Sequence, residues 1–274
     1  MRISVAVVLF CNKIEQLERL FNSLNNSIVP LNICIVDNSP YDNLRTIVEN
    51  FGFSYSHTPC NPGFGASHNF AFRLSENSEF HCIVNPDVYF DENAIYNLVS
   101  YLNNEPDVQC VVPKIIYPDG RLQRLCKLLP SALNLISRRF IPLLADHLDE
   151  EYELRWFCYD KTVEIPYVSG CFMVVRSCAF NRINGFDEQF FMYLEDIDLS
   201  RRLGDLGRIV FNPSIVVTHE YAKASYKNNK LLWAHIKSTI QYFNKWGWIF
   251  DSKRLSINRR AILNIRKIMS KNRV

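Results

Sequence analysis

No apolar run in this chain of 274 residues reaches the roughly 18 that cross a bilayer as a helix. No signal-peptide pattern opens it either: Met1-Arg2 leads straight into a strand pattern, so a cytoplasmic protein is expected. The nine cysteines are scattered without a Cys-x-x-Cys pair, and Cys34, Cys82 and Cys110 fall inside strand patterns. That spacing argues for buried, reduced thiols rather than a disulfide framework or a cysteine-zinc site. There is no internal repeat, no low-complexity segment and no linker, which excludes a solenoid or a chain of separate modules. No glycine-rich basic loop follows the first strand, where the residues are Phe10-Cys11-Asn12-Lys13; this argues against a nucleotidyltransferase. Finally, acid is missing from residues 252–274, which hold eight Lys/Arg. The rest carries 23 Lys/Arg against 28 Asp/Glu, a net of −5 hidden beneath the overall +3. Such a body has no footprint for nucleic acid, whereas the basic tail suits an anionic surface.

What is present alternates between two periodicities. Ile3–Phe10 is a nearly continuous apolar run, as in a strand buried on both faces. Ile14, Leu17, Leu20, Phe21 and Leu24 then repeat at helical spacing. A second strand, Leu31–Val36, ends in Asp37-Asn38-Ser39-Pro40; a short helix through Leu44, Ile47, Val48 and Phe51 and a strand near Phe53–Ser56 follow. This β-α-β-α-β order predicts an open, mainly parallel α/β sheet of Rossmann-like type with helices on both faces. Ligands in such sheets bind beyond the carboxyl ends of the strands, where Asp37 falls.

Asn61-Pro-Gly-Phe-Gly-Ala-Ser-His-Asn69 reads as a glycine loop entering a helix. Gly63 and Gly65 allow close approach of backbone to a ligand, and a helix N-terminus favours an anion; an ordinary tight turn has the same composition. The strand Phe80–Val84 ends in Asn85-Pro86-Asp87, a second carboxylate on the same expected edge, although Asn, Pro and Asp are common in any turn. A helix over Glu92–Leu102 and a strand over Cys110–Tyr117 come next, then a mostly helical excursion over residues 121–162. Short strands are expected at Arg208–Phe211 and Ile215–Thr218, the second leading into His219, with a helix from Leu231 to Phe243 closing at Trp246-Gly247-Trp248.

The stretch Tyr167–Leu203 concentrates the chemistry. A short strand containing Gly170 precedes the aromatic run Phe190-Phe191-Met192-Tyr193 and then Glu195-Asp196-Ile197-Asp198, three carboxylates in four positions at a helix start. An acidic first turn is common because the helix dipole favours it, so the cluster alone is either a cap or a site. Phe190 and Phe191 suit a core, and Tyr193, next to the acids, suits a pocket wall.

Taken together, VAVVLFCN, IVDNSP, NPGFGASHNFAF, VNPDV, VSGCFMVVR, GFDEQFFMYLEDIDLSRR and VTHEYAKAS resemble, in order, the motifs of family 2 inverting glycosyltransferases with the GT-A fold. The resemblance is strongest to bacterial O-antigen rhamnosyltransferases and runs from the first strand to about Trp248. It implies a GT-A domain over residues 1–228 and a C-terminal helix with a basic amphipathic tail over 229–274. Asp37 would contact the nucleotide base; Asn61, Gly63 and Gly65 would lie along the nucleotide-sugar, with Asn85 and Gly170 also on the donor side. Asp87 matches the last residue of the family's Asp-x-Asp metal motif, whose first position is here Asn85, and His219 matches a histidine completing the metal site in some relatives. The implied cofactor is Mg²⁺ or Mn²⁺, which would neutralise the diphosphate leaving group. Asp196 matches the general base, with Glu195 and Asp198 in support.

The implied reaction moves L-rhamnose from dTDP-L-rhamnose to a polyprenyl-diphosphate-linked saccharide, with deprotonation of the acceptor hydroxyl by one carboxylate. Another donor, such as a UDP-hexose or a galactofuranosyl nucleotide, keeps the same mechanism, and a non-catalytic nucleotide-sugar-binding subunit is a different class. Leu255, Ile262, Ile265, Ile268 and Met269 recur among arginines and lysines at near-helical spacing. They predict a basic helix lying on the inner face of the membrane by its apolar side.

Overall fold

The computed structural model describes residues 1–75, 77–140, 142–220 and 229–270. Four parallel strands build the first half: β1 (Ile3–Leu9), β2 (Leu31–Asp37), β3 (Ser54–His57) and β4 (Phe80–Val84), ordered β3-β2-β1-β4. Helices α1 (Ile14–Asn25), α2 (Arg45–Asn50) and α3 (Phe64–Leu74) connect them. The apolar run of β1 is continuous because both faces are covered. Val5, Val7 and Leu9 join Leu17, Leu20 and Phe21 of α1 in the main core, whereas Ala6 joins Cys34, Val36 and Ala71 on the α3 side. Alternate side chains of one strand thus fill two layers.

The second half is mixed. Beyond β4 come β5 (Val88–Phe90), α4 (Ala94–Asn104), β6 (Val108–Ile116), α5 (Ala132–Phe140), α6 (Pro142–Tyr152), β7 (Val163–Glu164), β8 (Phe172–Arg176), α7 (Ser177–Arg182), α8 (Glu195–Gly204) and β9 (Arg208–His219). β8 enters antiparallel between β4 and β6, β6 runs parallel to β9, and β5 caps β9 antiparallel in the order β3-β2-β1-β4-β8-β6-β9-β5, with β7 also on β9.

Several expectations change. The two short strands near the C-terminal side are one strand, β9, with a register shift opposite Pro113 and Lys114. Asn212 makes the irregularity by accepting hydrogen bonds from the Ser214 N–H and hydroxyl. Such a bulge breaks the periodicity without ending the strand. Gly170 lies in the turn before β8 and not inside a strand. β5 and α7 are too short to leave a periodic trace.

After α9 (Asn229–Trp246), helix α10 (Ser252–Ser270) carries the basic tail. Its apolar side is turned inward. Ala261 and Ile265 are buried, and Ile262, Ile268 and Met269 pack on the cluster around Phe157, Tyr159 and Phe211. The side chain of Asn258 bonds both the N–H and the C=O of Leu129. The expected contact of Ile262, Ile265, Ile268 and Met269 with a membrane is therefore corrected: these residues complete the protein core. Of the same set, Leu255 stays exposed. No helix among the described residues is long and apolar enough to cross a membrane.

Candidate active site

The carboxyl ends of β2 and β4, the turn before β8 and the end of β9 meet at one edge of the sheet. Register enforces this: Leu9 pairs with Asp37, Val84 with Phe172, and Val88 with His219. Asn85 is fixed there by its N–H to the Cys171 carbonyl at 2.8 Å. The buried Cys171 thiol is pushed up to about 12, mainly by burial and further by the charges of Asp87 and Asp196. Both carboxylates therefore flank one short segment.

Asp196 is held from two sides. The N–H of Gly170 donates to its Oδ2 at 3.1 Å and the Tyr167 hydroxyl at 3.3 Å, while the N–H of Ile197 reaches Oδ1 at 2.9 Å. A Cβ on Gly170 would sit 3.4 Å from Phe64 and 3.5 Å from the Asp196 Cβ, ordinary contact distances, so the entry turn of β8 packs directly on the acid. Burial raises the Asp196 carboxyl above its ordinary value, and the three donors pull it partly back. Its neighbour Glu195 is pushed well above the carboxylate range, first by burial and then by the charge on Asp196, and its buried Oε2 finds no hydrogen-bond partner among the described residues. Burial and the Asp196 charge also lift Tyr167, which stays a phenol donor. A partly open, raised carboxylate beside a buried acid that resists a second charge suits proton abstraction.

Asp198 does something else. It is fully buried, with Arg202 Nε at 2.7 Å on Oδ2 and Trp246 Nε1 at 2.9 Å and Lys245 Nζ at 2.7 Å on Oδ1. Its support of Asp196 is corrected to a tie between α8 and α9. The helix start itself is tightly wound: Tyr193 and Leu194 have φ of +71° and +65°, a left-handed pair that aims Glu195 and Asp196.

Asp87 and His219 form the second half of the edge. His219 Nε2 lies 3.2 Å from Asp87 Oδ1, and its Nδ1 lies 2.9 Å from Gln123 Oε1. The amide nitrogen of Gln123 donates to the His219 carbonyl at 2.7 Å, so its oxygen must face the ring. Gln123 thus engages the Nδ1 side of the ring and leaves the Nε2 side turned to the Asp87 carboxylate, an imidazole–carboxylate pair of the kind that holds a divalent cation. No group of three or more His, Cys, Asp or Glu able to hold a metal is present among the described residues.

On the donor side the structure revises the reasons for the expected residues. Asp37 is buried: Oδ1 accepts the Ser39 N–H at 2.9 Å and Oδ2 the Tyr55 hydroxyl at 2.7 Å. It fixes Tyr55, over whose ring Arg45 lies at 4.8 Å. Asn61 takes φ +45°, turning the loop towards α3. Gly63 (φ +102°) and Gly65 are demanded by the protein itself. A Cβ would meet the Phe191 oxygen at 2.3 Å or the Phe186 Cβ at 2.8 Å, and the Phe64 N–H donates to the same Phe191 oxygen at 2.9 Å. The glycine loop thereby seats the 186–194 segment that carries Asp196. Tyr167, Tyr55 and Gln123 were not singled out as functional from sequence, because nothing in local spacing marks their distant partners. Of the motif VTHEYAKAS, residues 221–225 lie outside the described residues.

The family model of glycosyl transferase family 2 matches residues 5–179, and the chain belongs to that family. It is similar to the N-acetylglucosaminyl-diphospho-decaprenol L-rhamnosyltransferase of Mycobacterium tuberculosis, 29% identical over 177 residues, which is 61% of this chain and 56% of that protein. The match thus spans little more than half the length of that relative. Rhamnosyltransferase WbbL of Escherichia coli K12 is 26% identical over 247 residues, covering 83% of this chain and 88% of that one. Among solved structures, S. aureus TarS 1–349 aligns with TM-score 0.56 at 18% identity, covering 80% of this chain and 60% of that one. GalNAc-T7 with UDP, GalNAc and Mn²⁺ aligns with TM-score 0.60 at 14% identity, covering 80% and 44%. These likenesses establish the GT-A fold.

Proposed function

We propose that the protein is an inverting rhamnosyltransferase moving L-rhamnose from dTDP-L-rhamnose to a polyprenyl-diphosphate-linked saccharide in the assembly of a cell-surface polysaccharide of O-antigen type. The observation that carries the reading is the Asp196 carboxylate, raised by burial and held by Gly170 and Tyr167 on the same edge as the Asp87–His219 pair. Asp196 accepts the proton of the acceptor hydroxyl as that oxygen attacks the anomeric carbon from the face opposite the leaving diphosphate. Tyr167 and the Gly170 N–H keep Oδ2 in place, leaving Oδ1 as the better-placed acceptor. Asp87 and His219 would hold Mg²⁺ or Mn²⁺, the histidine through Nε2 because Gln123 occupies Nδ1. Bound there, the cation supplies charge neutralisation for the departing diphosphate. The similarity to proteins named for rhamnosyl transfer supports the sugar, and a lipid-linked acceptor places the enzyme at an anionic membrane surface on the cytoplasmic side.

The test is a donor panel of dTDP-rhamnose, UDP-hexoses and UDP-galactofuranose with lipid-linked N-acetylglucosamine, with and without Mn²⁺ or Mg²⁺. Turnover is expected with dTDP-rhamnose; turnover confined to a UDP-sugar would overturn the donor assignment. Asp196→Asn should still bind donor and lose transfer by about 10²–10⁴-fold. Transfer at the wild-type rate would remove Asp196 as the base.

A further inference from the structure

With the apolar side of α10 committed to the core, a different surface is left bare. α9 and α10 are joined by a tight elbow whose tip is Trp248-Ile249-Phe250, exposed by 42%, 76% and 93%. The elbow is a braced structure. Gly247 has φ +100°, where a Cβ would strike the Phe250 oxygen at 2.8 Å, and its N–H bonds the Phe243 carbonyl at 2.8 Å. Trp248 lies against Phe243 with centroids 5.2 Å apart. Behind the tip, Asp251 receives Arg201 through two bonds of 2.6 and 3.0 Å and caps α10 through the Arg254 N–H. Ile249 and Phe250 are therefore held out in water by a rigid base, against the hydrophobic effect.

The apolar surface continues along α9. Trp233 (69% exposed) and Ile240 (44%) lie two turns apart on its outer face, and Asn244, one turn on, accepts the Trp248 Nε1–H at 2.9 Å. Between residues 229 and 270 the sequence has a single acid, Asp251, which is buried against Arg201, and nine Lys/Arg, of which Lys245, Lys253 and Arg260 pair with Asp187, Asp205 and Glu164 of the body. Past the elbow, the outward face of α10 mixes exposed Leu255 and Leu263 with Arg259 and Arg266.

We propose that the α9–α10 elbow is the membrane-docking device of this protein, with Trp248, Ile249 and Phe250 entering the interface of an anionic bilayer and the arginines of α10 meeting its headgroups. Tryptophan, bulky apolar side chains and exposed arginines are the composition that partitions to such an interface, and the excess of nine bases over one acid between residues 229 and 270 complements anionic headgroups. The inference rests on the reading that the acceptor is lipid-linked, and it gives that reading a geometry. The inner face of α9 holds the acceptor side of the site: Ser238 bonds the Met192 carbonyl at 2.8 Å, Gln241 the Gln189 carbonyl at 3.0 Å, and His235 lies against Tyr193. One helix thus separates the docking surface from the segment that carries Asp196.

The experiment is co-sedimentation of the full chain with vesicles of phosphatidylglycerol and phosphatidylcholine, and with phosphatidylcholine alone. Binding to the anionic vesicles is expected, falling as salt rises. Ile249→Ser with Phe250→Ser should weaken it by about tenfold or more, since burial of each side chain is lost. Arg259→Glu with Arg266→Glu should do the same by charge. Phe250→Ser alone, at the most exposed residue, guards against misfolding, and unchanged thermal unfolding certifies each variant. Transfer to a water-soluble acceptor analogue should persist in all of them, so that loss of docking is read apart from loss of the proposed reaction. Wild-type vesicle binding by the Ile249/Phe250 variant would overturn the proposal. So would a wild-type protein that ignores anionic vesicles and instead forms a dimer that the same substitutions dissolve.

Discussion

Gly63→Ala is the perturbation that best probes how the glycine loop and the catalytic acid are joined. At φ +102° and ψ 172° the backbone is in a region that only glycine enters freely, costing any other residue about 1–3 kcal/mol. The new Cβ would lie 2.3 Å from the Phe191 oxygen, so the 186–194 segment must retreat by about 1 Å to reach contact distance. That retreat stretches the Phe64 N–H bond to the same oxygen, worth about 0.5–1.5 kcal/mol. The sum is about 2–4 kcal/mol, or roughly 3–7 °C in Tm for a chain of this size. Because Tyr193 and Leu194 lead directly into Asp196, a shift of about 1 Å at the acid should also lower transfer by about 10²-fold. The control is Gly52→Ala. Gly52 also has positive φ (+77°), but nothing lies within 4 Å of a Cβ there. It should lose about 1–2 kcal/mol and no activity. Thermal unfolding and transfer rate, measured on both, decide the matter. If Gly63→Ala kept the wild-type rate while Gly52→Ala behaved as described, the loop would not be what seats Asp196.

Three further outcomes follow from buried charge. His68 and His81 are enclosed beneath α3 and held below their ordinary value by burial, His81 at about 3. The unfolded chain therefore binds more protons below pH ~6.5, and each histidine should remove about 1.4 kcal/mol of stability per pH unit as pH falls from there. His68→Leu should flatten the slope of Tm against pH, since neither ring nitrogen has a hydrogen-bond partner among the described residues; an unchanged slope would count against it. Glu195 runs the other way: its raised carboxyl stays protonated in the folded state, so stability is lost as pH rises above its unfolded value. Glu195→Gln should raise Tm at pH 7.5 and leave it unaltered near pH 4, and a variant less stable at pH 7.5 would show that the ionised form is needed. Arg201→Met should cost about 3–5 kcal/mol by stranding Asp251 in the elbow, and the Arg201→Met/Asp251→Leu pair should recover most of it in chemical denaturation. Additive losses would mean the two residues are not coupled.

The Asp87–His219–Gln123 chain shows what spacing hides. Asp87 can be picked out because strand ends on one edge of a parallel sheet collect ligands, and His219 by the resemblance to the family. Gln123, 96 residues from His219, holds the Nδ1 side of the ring and carries no local mark. The acidic cluster divides for the same reason. Asp196 and Asp198 sit two apart on one helix, yet Asp198 turns into Arg202, Lys245 and Trp246 while Asp196 faces the site. Two positions along a helix turn the side chain by about 200°, so the two acids face opposite sides, and the packing of α9 decides which side is buried.

By itself the sequence determined the alternation of strand and helix, the parallel first half of the sheet, and the acids at its carboxyl edge. These follow from side-chain periodicity and turn chemistry, which act over a few residues. The tertiary structure decided which glycines serve the ligand and which serve the fold, which acid is open, and which face of α10 meets the core. Those choices depend on partners tens to hundreds of residues away. An apolar stripe on a helix specifies that something covers it, and the packed structure supplies the identity of the cover. For α10 it is the protein's own core, and the α9–α10 elbow is what remains exposed.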